Sequence, residues 1–103
     1  MEQQMDQIHD LGQKLMKQQT LEHVKAYKAA IKALMQHFIQ YGLETNELIS
    51  NRNVMNQKKY TIISVIDEKL ERLVSGILQS QVKQMDMLAK LEEIQGLLID
   101  LIH

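Results

Sequence analysis

Apolar residues fall into four runs spaced alternately by three and four, the repeat that turns one face of an α-helix towards a core. In the first run Met5, Ile8, Leu11 or Gly12, and Leu15 oppose glutamines and charges, which predicts an amphipathic helix over residues 2–19. The second run is the most regular. Val24, Tyr27, Ile31, Leu34, Phe38, Tyr41, Thr45 and Leu48 keep the alternation without a miss and predict a helix over 20–49. Thr20 supplies an N-cap hydroxyl for it, and Glu22 places negative charge in its first turn. The third run, Ile63, Ile66, Leu70, Leu73 and Ile77, predicts a helix over 59–79. The fourth, Met87, Leu91, Ile94, Leu98 and Leu101, predicts one over 83–102, with Leu88, Ile99 and Ile102 widening the stripe into a second apolar face. A helix apolar on several sides is expected at the centre of a bundle. Gly96 inside it costs about 1 kcal/mol against alanine, a loss accounted for if another backbone crosses closely there.

The connections are read from where the pattern stops. Ser50–Lys59, reading SNRNVMNQKK, is polar, rich in asparagine and without helical repeat, and is expected to be the main loop. Between the third and fourth runs polar Ser80 and Gln84 interrupt the seam, so a turn is placed near Ser80–Lys83, where folding back lets two short apolar faces cover each other. One continuous helix is the alternative. The result is an all-α protein, an antiparallel four-helix bundle in one domain. At 1.5 Å per residue the second helix would be about 45 Å long against roughly 30 Å for the later ones. Its surplus carries Tyr41, Leu48 and Ile49, which become the expected contact of a homodimer. Folding back of Val54 and Met55 from the loop is the competing cover.

Composition sharpens this picture in three places. With no proline and four glycines in 103 residues, little is available to make the turns of a sheet. With no cysteine there is neither a disulfide framework nor a thiolate site. No stretch resembles a secretory leader or a membrane span, so a cytoplasmic location and no membrane partner are expected. The net charge of −1 hides an asymmetry: residues 20–59 hold six bases (Lys25, Lys28, Lys32, Arg52, Lys58, Lys59) and three acids, +3 there and −4 elsewhere. These six residues form the candidate partner-binding set.

Three blocks resemble the YaaR-like proteins, a family of small bacterial proteins without an assigned activity: LGQKLMKQQTLEHVKAYKAAIKALM from Leu11, YTIISVIDEKLERL from Tyr60, and EIQGLLIDL from Glu93. The closest fits to the family pattern are Tyr27 with Lys28, Ile66 to Leu70, and Gly96 to Leu98. Two departures stand out. Relatives carry a further polar N-terminal stretch without counterpart here, and their loop is more basic and contains a glycine, whereas Asn51–Lys59 has three basic residues and none. The resemblance implies an all-helical fold and transfers no catalytic residue.

Candidate chemistry is sparse. Asp6 and His9 lie three apart on one helical face, but a bundle di-metal site draws on Glu-x-x-His pairs, which do not occur here. His23 and His37 would sit about 21 Å apart on one helix, too far to share an ion. Tyr27, Phe38 and Tyr41 fall on the seam and are read as core, with each hydroxyl at the bundle edge. Asp67, beside the seam, is expected to hydrogen-bond a neighbouring helix through Tyr27 or Lys28. No cofactor, metal or catalytic group is expected. The reading is a non-enzymatic interaction or scaffold module that binds a protein partner or a second copy. The alternative is a nucleic-acid or nucleotide accessory using the modest basic face.

Overall fold

The computed structural model describes residues 2–42, 50–79 and 83–103. Within them the chain forms α1 (Glu2–Lys17), α2 (Leu21–His37), a π-helical segment (Phe38–Gly42), α3 (Ser50–Gln79) and α4 (Gln84–Ile102). Packing runs from α1 to α2, α2 to α3, α3 to α4 and α4 back to α1, a closed ring. Neighbours are antiparallel: Lys28 meets Glu71 while Lys32 meets Asp67, so α2 and α3 run in opposite senses. Likewise Lys69 meets Glu93 while Lys59 reaches the backbone of Asp100. The antiparallel four-helix bundle is therefore the fold observed.

The expected seams are the core. Leu15, Val24, Ile31, Leu34, Ile66, Leu70, Met87, Leu98 and Leu101 are each completely buried, joined by Met35 beside the second stripe. No polar or charged residue is buried among the described residues. Burial of such side chains is worth roughly 1.5–3 kcal/mol each, which makes the four stripes the source of the fold. The turn between α1 and α2 is local chemistry. Thr20 is extended at φ −106° and ψ 157°, and its hydroxyl accepts the His23 amide. The His23 ring then folds back, Nδ1 donating to the Gln18 carbonyl at 2.9 Å. A carbonyl only accepts, so Nδ1 carries the proton.

Four expectations are corrected. Ser50–Lys59 belongs to α3 and not to a loop, so the longest helix among the described residues is the third: thirty residues, about 45 Å, nearly the full 49 Å length of the molecule. The stretch lacks an apolar repeat yet is helical, since asparagine, glutamine and lysine tolerate a helix and neither glycine nor proline intervenes. Second, regular α2 ends at His37 and the π-helical segment follows. A π turn spaces its bonds by five residues and shifts the phase of what comes after, which an unbroken three–four repeat conceals. The extension to Ile49 falls from residue 43 onward outside the described residues.

Third, α4 is not central. In a ring of four helices each buries one face, and Leu88 and Ile99 on the second face of α4 remain 44% and 43% exposed. Fourth, no backbone crosses at Gly96: it is exposed, and an added Cβ would meet nothing within 4 Å. The close approach is at Gly12, where a Cβ would lie 3.3 Å from Tyr27 Cε1 and 3.9 Å from Leu91 Cδ1. The separation of the third and fourth helices is observed: α3 ends at Gln79, and Lys83, at φ −58° and ψ 145°, precedes α4 as its N-cap. Residues 80–82 lie outside the described residues.

Candidate functional site

The polar side chains that meet across helices gather on the outer face of α3 and the flanks of α2 and α4. Positions 67 and 71 on α3 turn towards α2, where Asp67 faces Lys32 at 3.7 Å and Glu71 forms an ion pair with Lys28. Position 69 turns the other way, and Lys69 pairs with Glu93 of α4. Between these two rows Glu68 and Arg72, one helical turn apart, pair at 2.5 Å. The family-like blocks of α2, α3 and α4 are thus stitched together by charge above a purely apolar core.

The electrostatics follow from these contacts. The Lys28 ammonium, by hydrogen bond first and by charge second, holds the Glu71 carboxyl below the usual glutamate range, and Lys69 does the same to Glu93. Burial pushes the Tyr27 phenol up instead. Asp67 is the unusual member. Its Oδ1 is enclosed and lacks a hydrogen-bond partner, because Lys32 at 3.7 Å is beyond donating distance and offers charge alone. The expected bond from Asp67 to Tyr27 or Lys28 is not formed; Lys28 is taken by Glu71.

The five candidate partner-binding residues whose side chains are described are not brought together in one place. Lys28 and Lys32 are engaged by α3. Lys59 donates to the Asp100 carbonyl at 2.7 Å, satisfying an acceptor in the last turn of α4 and placing a cation at its negative end. Lys25 and Lys58 are exposed, and by helical register they lie roughly 20 Å apart along the bundle. The side chain of Arg52 lies outside the described residues. So do the dimer candidates Leu48 and Ile49 and the side chain of Tyr41.

Lys69, Arg72 and Lys90 were passed over in the sequence, yet they converge with Glu93 on a cleft of about 160 Å³ between α3 and α4, floored by Leu73 and Ile94. The available signal was the three-residue spacing 69–72 on one helix and 90–93 on the next. A second groove, of about 260 Å³, runs between α1 and α4 over Gly12 and Tyr27. No group of three or more metal-ligating side chains is found among the described residues. No described helix is long and apolar enough to cross a membrane.

Such a bundle, with its chemistry confined to surface ion pairs, defines an all-α helical protein. The family model described as "Protein of unknown function (DUF327)" matches residues 1–102, and the chain belongs to that family. It is similar to the "Uncharacterized protein YaaR" of Bacillus subtilis (strain 168), at 25% identity over 97 residues covering 94% of this chain and 66% of that protein. The chain thus spans just under two thirds of that relative's length. No solved structure matches.

The depressed carboxyls make a pH prediction. A carboxyl whose pKa is lower in the folded than in the unfolded chain adds stability above its unfolded pKa, and that contribution is lost as pH falls through the folded value. Stability should therefore decline from about pH 4.3 downward, and the double substitution Glu71→Gln, Glu93→Gln should flatten that decline. Urea titrations at pH 7 and pH 3 test this; equal slopes for the native and doubly substituted chains would refute it.

Proposed function

We propose that this protein is a non-enzymatic interaction module that binds a protein partner through one end of its bundle. The observation carrying the proposal is the placement of the exposed apolar side chains. Leu21, Leu78, Met85 and Leu88 are exposed by 37%, 64%, 84% and 44%, four of the six large apolar side chains exposed among the described residues; the other two, Tyr60 and Ile99, stand towards the opposite end, at the level of the Lys59–Asp100 contact. Antiparallel register sets all four at the end where α1 turns into α2 and α3 leads to α4, since the sum that pairs 28 with 71 pairs 21 with 78. Isolated exposed leucines are ordinary, whereas a gathering of them at one end favours association. Among the described residues no polar or charged residue is fully buried, so no convergent polar cluster of the kind a reaction would use lies in the core.

Leu78→Asp with Met85→Asp should leave the helical circular dichroism unchanged and abolish co-purification of the partner from native cells. Partner retention at the level of the native chain would overturn the assignment, as would turnover of a substrate that disappears on changing one side chain. A second copy is one form the partner can take, read by sedimentation equilibrium as a mass above 12.0 kDa that returns to the monomer in the double variant.

A further inference from the structure

We propose that the α3–α4 cleft binds the phosphate group of a small soluble molecule. Lys69 and Arg72 enter it from α3 and Lys90 from α4, against the single carboxylate of Glu93. Three positive charges and one negative line the cleft, and Glu68, paired with Arg72 from outside it, brings the local balance to +1 in a chain whose net charge is −1, so the excess is not a by-product of general basicity. Glu93 is already paired with Lys69, whose side chain is only 26% exposed. Lys90 acts on that same carboxylate through space without forming an ion pair with it. The other acid nearby, Glu68, answers Arg72 from the preceding turn of α3 and does not line the cleft.

An ordinary interhelical ion pair needs one lysine and one glutamate. Beside it stand two further cations, Arg72, matched by Glu68 at the rim, and Lys90, which has no ion-pair partner among the described residues, so one positive charge is left for an anion to join. The cleft's 160 Å³ far exceeds the roughly 10–15 Å³ that one water requires, and gives a phosphate group room to enter. A guanidinium and two ammonium groups suit a tetrahedral dianion, the first by paired hydrogen bonds and the others as point charges. Leu73 and Ile94 beneath them keep the floor dry, which strengthens those contacts. Glu93 acts as the internal competitor, holding Lys69 until phosphate displaces it.

The test is a titration of the full chain with inorganic phosphate and glycerol phosphate at low salt, followed by amide chemical shifts. Saturable shifts confined to residues 69–73 and 90–94 are expected. Arg72→Gln should weaken binding by about tenfold or more, the scale of a lost charge-assisted pair. Lys90→Gln breaks no ion pair, so its fold is not at issue, and it should weaken binding as well. Glu93→Gln should tighten binding by roughly three- to tenfold, since it removes a repelling charge and frees Lys69. Lys25→Gln, on the exposed side of α2, should leave binding unchanged. The proposal is overturned by absence of saturable binding, by a loss in Lys25→Gln equal to that in Lys90→Gln, or by weaker binding in Glu93→Gln. Vesicles containing phosphatidic acid form the other arm: Lys90-dependent binding there, without any to the soluble phosphates, would replace a soluble ligand with a lipid headgroup and overturn it too.

Discussion

Leu70→Ala should destabilise the protein by roughly 2–5 kcal/mol, the range for truncating a fully buried leucine where the surroundings collapse only in part. Leu70 is completely buried at the middle of α3, the helix that contacts both α2 and α4. A chain of this size has about 5–15 kcal/mol of stability in all, and each kcal/mol moves the melting temperature by roughly 4–8 °C. The expected fall is tens of degrees. Leu88→Ala supplies the contrast, because Leu88 keeps 44% of its surface in water and should cost no more than about 1 kcal/mol. Both leucines continue a helical stripe in the sequence, so their difference measures which stripe faces the core. Thermal melts of the two variants decide the matter, and equal losses would mean that the inward face of the bundle is misassigned.

That contrast also marks how far the sequence could be read. A three–four repeat identifies a stripe that can be buried, and every fully buried seam residue was visible in this way, as was the Thr20 cap. The repeat does not say how many faces of one helix the bundle will cover. Leu88 and Ile99 therefore looked like core and are half exposed, because closure of four helices into a ring leaves each with an outer side. The first turns of α3 failed for the converse reason. A stretch without an apolar repeat gives no periodic signal, and Ser50–Lys59 resembles a loop until its backbone is seen.

The charged face was legible only in its ingredients. Lysines on α2 and acids on α3 could be placed on their helices, but which lysine meets which acid depends on the register between helices. A shift of one turn would give Lys32 to Glu71 and leave Lys28 to face another group. The structure fixes the pairs Lys28–Glu71 and Lys32–Asp67, so two members of the expected basic set face acids of α3. The same register places Lys90 of α4 beside Lys69 and Arg72 of α3, although the two helices' residues are far apart in sequence and carry no recognisable motif.

Glycine shows the same dependence on the third dimension, and it gives the second large prediction. Gly12 and Gly96 both sit inside helices, where glycine costs about 1 kcal/mol relative to alanine. At Gly96 open space surrounds the missing side chain, so Gly96→Ala should stabilise by roughly 0.5–1 kcal/mol. At Gly12 the first added carbon already meets the Tyr27 ring at 3.3 Å, and that ring is 2% exposed and wedged between helices. Gly12→Leu adds three further carbons where Tyr27 and Leu91 already stand. Volume forced against the buried Tyr27 ring costs typically about 1–3 kcal/mol, which outweighs the gain in helix propensity even with part of the side chain lying in the α1–α4 groove. The leucine must push α1 away from α2 and α4, so α1 should lose protection from hydrogen exchange before the other helices do. Urea midpoints should thus move in opposite directions for the two substitutions; a Gly12→Leu protein as stable as the native chain, with α1 still protected, would show that α1 does not seat on Tyr27.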